Sequence, residues 1–280
     1  MITGPNDLLK GYVEVASLPT VFARINEAVN NPRSSMHEIG RIISEDAGLT
    51  ARLLMLVNSA FFSLPQRIDS ITQAITIVGT QQLRDLALAT SVIKLFKGIP
   101  SDLVDMERFW KHSIGVGIAA RTLAAYRREP NVERFFVSGI LHDIGRLVMY
   151  MKIPDLSRTA LVRTRENNEL LHVAEEQVIG FDHAAVGRAL MQNWRLSVYQ
   201  EEVVAFHHRP ELAGRFPVET AIVHTADILA HSMGLGSSGE QFVPPLDAAA
   251  WERLELPVSV LAPTLDQIDR QYAEAVKLIL

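Results

Sequence analysis

Histidines and aspartates that could bind a metal ion recur in the central part of the sequence, where helices would face inward or end. Neutral imidazole and carboxylate groups suit Zn, Mn, Fe and similar divalent ions, and side chains from several helices can converge inside a bundle. The chain has no cysteine, so any metal site must use these groups or backbone oxygen. The candidates are His112, His142, Asp143, His183, His207, His208, His224 and Asp227.

One stretch places two of these candidates side by side. In GILHDIGRLVMY, residues 139–150, His142 and Asp143 are neighbours in an apolar run, and Arg146 follows within one helical turn. Neighbouring side chains on a helix point about 100° apart, so the pair is poorly arranged to chelate one ion. It fits better if Asp143 bridges two ions and His142 binds one of them. The adjacent His207 and His208 likewise fit better if two ions are present.

A purely structural interpretation of these residues stays open. An inward histidine can be a hydrogen-bonded core residue, and His207 and His208 could cap the C-terminus of a helix, where positive charge is favoured. His224, Asp227 and His231 are spaced i, i+3 and i+7, so they share one helix face and could form a surface cluster of their own.

The elements that must position these side chains are predicted to be helices. Apolar residues follow the helical period along nearly the whole chain, and no segment shows the two-residue alternation of a strand. We therefore predict an all-α protein. Ser35 followed by Glu38 predicts a capping box, and Ser70 and Thr80 predict two further helix N-caps.

Two other segments carry predictions. Residues 132–151 look like one continuous helix that contains His142 and Asp143. The Gly- and Ser-rich stretch GLGSSGEQ, residues 234–241, is typical of a mobile surface loop.

The composition sets the broad class. The 280 residues are 48% hydrophobic and 21% charged, with a formal net charge of -5, which is ordinary for a globular protein and argues against a nucleic-acid binder. The start, MITGPNDLLK, lacks the pattern of a secretory signal. No run approaches the roughly 20 apolar residues of a membrane span. We expect a cytoplasmic protein without a membrane or nucleic-acid partner.

The order of the candidates, histidine, HD, histidine, HH, aspartate, resembles the HD superfamily of metal-dependent phosphohydrolases. The stretches NSAFF (residues 58–62) and AITIVG (residues 74–79), with VSGILHDIGRLVM, DHAAVGRALMQNW and VVAFHHRPE, narrow the resemblance to the HDOD family. It runs from about Leu18 to His231.

The resemblance implies a multi-helix HD-like bundle with an N-terminal helical lobe, in a stand-alone HDOD protein. Residues 1–100 would form that lobe, residues 101–235 the metal-site lobe, and residues 236–280 a loop and a C-terminal helical extension.

The resemblance also implies a metal centre. By similarity to HD-GYP phosphodiesterases, the ligands would be His112, His142, Asp143, His183, His207, His208 and Asp227. Two divalent ions, Fe, Mn, Zn or Ni, are expected. One hypothesis places one ion at His112, His142 and Asp227 and the other at His183, His207 and His208. Asp143 would bridge them, and Arg146 would contact phosphate in place of the lysine that usually follows HD by three residues.

Two positions depart from the HD-GYP pattern. The GYP signature is absent after HH, where the chain reads HHRPELAGRFP. Arg108 stands where some of those enzymes have a glutamate. A third ion and specificity for cyclic di-GMP are therefore not expected.

Three functions follow from the resemblance and from the residues. The first is a bacterial signalling module whose N-terminal lobe docks a partner protein near residues 58–60 and whose metal-site lobe is a scaffold or a sensor of a phosphate-containing ligand. The second is a metal-dependent phosphohydrolase or phosphodiesterase in which Asp143 and Arg146 serve the reaction. The third is a metal ion that only holds the helices together. The amphipathic helix at residues 264–280 could serve a homodimer.

Overall fold

Helices supply the regular secondary structure in the computed structural model, which describes residues 4–10, 18–59, 62, 64–96 and 98–280. No strand occurs in these ranges, which confirms the predicted all-α class. Among the described helices, none is both long enough and apolar enough to pass through a bilayer.

The chain divides into two compact units, and each is discontinuous in sequence. The large unit consists of Met1–Ser17 and Phe96–Ile268, and the small unit of Leu18–Leu95 and Asp269–Leu280. All candidate metal ligands belong to the large unit. The division into residues 1–100, 101–235 and 236–280 stays a prediction.

The small unit contains helices α1 to α5, which are Thr20–Asn30, Met36–Ser44, Ala47–Val57, Ile71–Val78 and Thr80–Val92. The large unit contains α6 to α14, which are Met106–Tyr126, Glu133–Leu141, Ile144–Lys152, Pro154–Asn167, Leu171–Ile179, His183–Asn193, Val198–Phe206, Pro217–Ser232 and Ala248–Arg253. The residues of α15, Leu261–Ile279, are shared between the two units. Short 3₁₀ turns lie at Pro5–Leu9, Pro210–Leu212 and Val258–Val260.

Two of the three predicted N-caps in the small unit are confirmed. Ser35 accepts a hydrogen bond from the Glu38 amide at 3.1 Å, and Ser70 does the same for Gln73 at 3.2 Å. The prediction for Thr80 was wrong. The cap position is Gly79, whose φ is 103°, because the tight connection from α4 to α5 needs a backbone conformation that glycine adopts without strain.

Asn58 fastens the end of α3 to a later part of the small unit. Its side-chain amide donates to Leu54 O at 2.8 Å and to Ile68 O at 2.7 Å, and its Oδ1 accepts from Ile68 N at 2.7 Å. Both polar atoms of the Asn58 side chain are therefore engaged in hydrogen bonds within the small unit. Ala60 of the predicted docking segment lies outside the described residues, and partner docking there stays a prediction.

The core of the large unit depends on close helix contacts. Helix α6 packs on α7 and on α13. A Cβ atom added at Gly139 would lie 2.5 Å from Gly117 Cα and 2.7 Å from the Val116 carbonyl carbon. The backbones of α6 and α7 thus approach each other closely near the C-terminal end of α7.

The continuous helix predicted for residues 132–151 is wrong. Helix α7 ends at Leu141 and α8 begins at Ile144, so His142 and Asp143 occupy the break. Asp143 has φ −98° and ψ 5°. The break allows α8 to lie against the start of α11, where a Cβ atom at Gly145 would clash with His183 O and lie 2.7 Å from Gly187 N.

The exposure predicted for the loop at residues 234–241 is wrong at three positions, and its predicted mobility stays a prediction. Leu235, Ser238 and Glu240 are buried, and Ser238 is completely inaccessible to solvent. We call residues 234–241 the glycine strap. The side chains of Ser238 and Glu240 are directed into the large unit.

The contact between α6 and α7 makes a testable prediction. Gly139→Ala should lower the free energy of unfolding by about 1–3 kcal/mol, because the new methyl group overpacks a site bounded by backbone atoms. Gly214→Ala is the matched control, since nothing lies within 4 Å of the added Cβ there. Urea unfolding curves measure both, and equal stabilities for the two variants would contradict the described contact.

Candidate metal centre

The predicted histidines and aspartates meet inside the large unit. Three groups of possible ligand atoms each lie within 4.8 Å of one another: Asp143, His183, His207 and His208; His112, His142 and Asp143; and His112, Asp227 and His231. Asp143 belongs to the first two groups and His112 to the last two, so the groups form one cluster. All seven predicted residues are in it, and their role as ligands stays a prediction.

Two of the histidines are oriented by the ends of the helices that precede them. The Nδ1 of His142 lies 2.7 Å from Gly139 O, and the Nδ1 of His207 lies 2.8 Å from Val204 O. A carbonyl oxygen only accepts, so Nδ1 carries the proton in the neutral ring and Nε2 keeps a free lone pair. A break after a helix therefore presents Nε2 to the cluster in both cases.

His183 is held by a carboxylate that the sequence analysis did not single out. Glu175 Oε2 accepts hydrogen bonds from the His183 backbone N–H at 2.9 Å and from its Nδ1 at 2.6 Å. The Nε2 of His183 consequently faces Asp143 Oδ1 at 2.9 Å. In many metal sites, a carboxylate accepts a hydrogen bond from the histidine ring nitrogen that does not bind the metal.

Asp227 gathers three histidines on the other side of the cluster. Its Oδ1 lies 3.1 Å from His112 Nε2, 3.6 Å from His142 Nε2 and 3.3 Å from His231 Nε2. Asp227 is buried, so the surface cluster suggested by its spacing with His224 and His231 is not found.

His224 has a different role from the other histidines. Its Nδ1 lies 2.7 Å from His207 O, and its Nε2 accepts a hydrogen bond from Asp247 N at 3.1 Å. Both ring nitrogens are therefore used by the fold. His224 positions the backbone of His207 and leaves no lone pair for an ion.

Several buried polar atoms of the cluster lack hydrogen bonds. The Nε2 atoms of His112 and His142 and Oδ1 of Asp227 make none. Asp227 Oδ1 nevertheless lies only 3.1 Å from the first nitrogen and 3.6 Å from the second. Buried polar atoms are normally satisfied. Imidazole nitrogens and a carboxylate oxygen that face one another in this way match the donor set of a divalent cation, so the residues fit a metal.

The carboxylates raise the pKa values of two histidines. Burial, the largest effect, lowers the pKa of His142, but Asp143 and Asp227 outweigh it and raise that pKa to about 10. Burial and Arg146 lower the pKa of His183, but Glu175 and Asp143 raise it to about 9. The neighbouring carboxylates thus favour the protonated form of both rings when no metal is bound.

Other members of the cluster shift in the opposite direction. Burial raises the pKa of Asp143, but Arg146, His142 and His183 outweigh it and hold that pKa well below its usual value. Burial and the neighbouring His207 lower the pKa of His208 well below its usual value. The cluster therefore contains an ionised carboxylate and a neutral imidazole, both in the form that binds metal.

Arg146 lies beside the cluster and is fully enclosed. Its Nη1 is 3.3 Å from Asp143 Oδ2 and donates a hydrogen bond to Ser238 Oγ at 2.6 Å. Its Nε lies 3.8 Å from Glu175 Oε1. The guanidinium balances the charge of two buried carboxylates and has the hydroxyl of the strap as its neutral partner.

Sequence reasoning missed three neighbours of the cluster. Glu175 has the adjacent Glu176, and nothing in the pattern tells which of the two faces inward. Ser238 is part of a stretch that is typical of exposed loops. His172, whose ring stacks on that of His208 with centroids 4.3 Å apart, follows two apolar residues in an amphipathic segment.

The raised pKa values predict how stability depends on pH. A histidine with a raised folded pKa stabilises the protein below its unfolded pKa near 6.5 and loses that contribution as the pH rises through the folded value. For His183 and His142 the folded values are about 9 and about 10. The metal-free protein should therefore lose at least about 1 kcal/mol of unfolding free energy between pH 7 and pH 10, the equivalent of one pKa unit.

Urea unfolding in the presence of a chelator measures this loss. His142→Gln is the control, because glutamine does not titrate and the decline should be shallower. Identical profiles for parent and variant would show that His142 does not carry the effect.

Comparisons with known proteins agree with this architecture. A crystal structure of an HDOD domain protein of unknown function from Geobacter sulfurreducens is 24% identical, with a TM-score of 0.76 over 94% of this chain and 92% of that one. The crystal structure of a candidate phosphohydrolase from Shewanella amazonensis SB2B is 24% identical, with a TM-score of 0.77 over 99% of both chains. At these identities the likeness shows a shared fold.

The sequence comparisons give the family. A curated relative, an uncharacterized protein from Treponema pallidum (strain Nichols), is 27% identical over 196 residues, which are 70% of this chain and 38% of the relative. The match thus spans little more than a third of that relative's length. The HDOD domain model matches residues 15–210. Since this is well over half of the sequence, the chain belongs to the HDOD family.

Proposed function

We propose that the chain is an HDOD signalling module that holds two divalent metal ions in its large unit and acts through a protein partner. The position of Asp143 carries the proposal. Its Oδ1 faces His183 Nε2 at 2.9 Å and His207 Nε2 at 3.7 Å, and its Oδ2 faces His142 Nε2 at 3.3 Å. One carboxylate therefore presents a separate oxygen to each half of the cluster, as a bridging ligand must.

The other ligands divide between the two halves. His183, His207 and His208 would hold one ion, and His112, His142 and Asp227 the other. His231 would be an additional ligand of the second ion, because its Nε2 lies 3.3 Å from Asp227 Oδ1. Binding would release the protons that the raised pKa values of His142 and His183 retain, so affinity should rise with pH below about 9.

A metal-dependent phosphohydrolase is the second candidate. It is supported by Arg146, which lies next to Asp143, and by the name of the similar Shewanella protein. Bound ions would supply an activated water and bind phosphate oxygens. Arg146 would orient the phosphate, since a guanidinium binds phosphate through two parallel hydrogen bonds.

The environment of Arg146 favours the signalling role. The guanidinium is buried, and Asp143, Glu175 and Ser238 surround it. Such an arrangement keeps its groups in place without a substrate, which suits a sensor or scaffold better than a site that turns over. Docking of the partner on the helices of the small unit belongs to the same proposal.

The metal content of the purified chain tests this function. Elemental analysis should find about two ions per chain in the parent and at least one fewer in Asp143→Asn, because the bridging oxygens are altered. Glu202→Gln is the matched control. Glu202 is also a buried carboxylate of the large unit, but it accepts hydrogen bonds from the Arg215 and Phe216 amides at 2.7 Å.

Two outcomes would count against the proposed module. A parent without metal, or an Asp143→Asn variant with the full content, would remove its metal centre. Hydrolysis of simple phosphoesters by the loaded parent, lost in Asp143→Asn and kept in Glu202→Gln, would favour the second candidate instead.

The orientation of His183 gives a separate prediction. Glu175→Gln should weaken metal binding by about 10- to 100-fold, the usual effect of removing a carboxylate behind a metal-binding histidine. Glu176→Gln is the control, since Glu176 is paired with Arg209 at the surface. Competition with a chromophoric chelator measures both affinities, and a similar affinity for the two variants would deny Glu175 this positioning role.

A further inference from the structure

The glycine strap, residues 234–241, separates the metal cluster from a surface cleft of about 280 Å³. Ser237 and Gly239 line that cleft. Ser238, between them, is completely buried, and its hydroxyl accepts the 2.6 Å hydrogen bond from Arg146. One face of the strap is thus the wall of the cleft, and the other is in contact with Arg146.

Hydrogen bonds to three different helices hold the strap in this position. Ser237 N donates to Arg108 O in α6 at 2.9 Å. The Tyr150 hydroxyl in α8 donates to Ser238 O at 3.3 Å, and Leu171 N at the start of α10 donates to Glu240 Oε2 at 2.7 Å. The closed position is therefore defined by specific contacts.

The close contacts between the strap and the neighbouring helices require glycine at positions 236 and 239. Gly236 has φ +74°, and a Cβ atom there would clash with Arg108 O. Gly239 has φ +112°, and a Cβ atom there would lie 2.8 Å from the Tyr150 hydroxyl. A side chain at either position would be strained and would displace the strap.

The contact between Ser238 and Arg146 is replaceable. A guanidinium has five N–H donors, and the Nε of Arg146 makes no hydrogen bond. A phosphate group offers several anionic oxygens, which can accept parallel hydrogen bonds from one guanidinium, whereas the serine hydroxyl accepts a single one. An anionic oxygen would therefore satisfy Arg146 better than the neutral serine hydroxyl does.

We propose that the glycine strap is an internal plug: Ser238 occupies the side of Arg146 that binds anions, and a phosphate group reaches Arg146 only when the strap opens. The inference rests on the proposed metal-binding function and adds its regulation. Opening the strap rebuilds the wall of the cleft that Asp102, Arg158 and Gln241 also line. Phosphate binding inside the large unit is thereby converted into a change of surface that a partner can recognise.

Hydrogen exchange on the full chain, loaded with metal, tests the plug directly, with inorganic phosphate as the probe. Millimolar phosphate should accelerate exchange of the Ser237 and Leu171 amides, because their hydrogen bonds join the strap to Arg108 and to the start of α10. Bound phosphate with unchanged exchange at these amides would overturn the inference.

Two variants test the same point from the other direction. Ser238→Ala removes only the hydroxyl, and Gly239→Ala displaces the strap; each should tighten phosphate binding by about tenfold, the equivalent of one hydrogen bond to a charged group. Gly214→Ala should leave it unchanged. Phosphate affinity equal to that of the parent in both strap variants would refute the plug.

Metal content, measured on the same samples, distinguishes the two proposals. Absence of metal from the parent contradicts the proposed function. Full metal content with unaltered exchange and affinity contradicts only the plug.

Discussion

The buried carboxylate of Asp143 is the constraint on which the large unit depends. An ionised carboxylate away from water is costly unless positive or hydrogen-bonding groups surround it. Asp143 has Arg146 at 3.3 Å, His142 at 3.3 Å and His183 at 2.9 Å. These groups come from the break between α7 and α8, from α8 itself and from the start of α11. The end of α7, the start of α8 and the start of α11 therefore meet at Asp143.

Close backbone contacts make this meeting possible. Gly139 lies against Gly117 near the end of α7, and Gly145 lies against His183 where α8 meets α11. The helix break between these contacts answers the question raised by adjacent ligands. On a regular helix His142 and Asp143 would diverge, whereas at a break each side chain can face the cluster. The His207–His208 pair follows the end of α12 in the same manner.

The sequence was sufficient to predict the helical class, the Ser35 and Ser70 caps and the set of histidines and aspartates that meet. It was not sufficient to predict the break, because residues 132–151 are apolar on almost every side and give no periodic signal where a helix stops. The sequence pattern failed to predict the burial of the strap for another reason. Glycine is common in exposed loops, and here it is needed because Gly236 and Gly239 touch Arg108 and Tyr150. Tertiary contact, not local propensity, decides such positions.

Charge balance links the cluster to the strap, since Arg146 serves both Asp143 and Ser238. The proposed signalling role uses this connection between the cluster and the strap. The most direct measurement of the central claim is anomalous X-ray diffraction from crystals of the purified protein at the absorption edge of its metal. Two peaks, one on each side of the Asp143 carboxylate and about 3.5–4 Å apart, are predicted. A single peak, or peaks away from Asp143, would contradict a bridged two-metal centre.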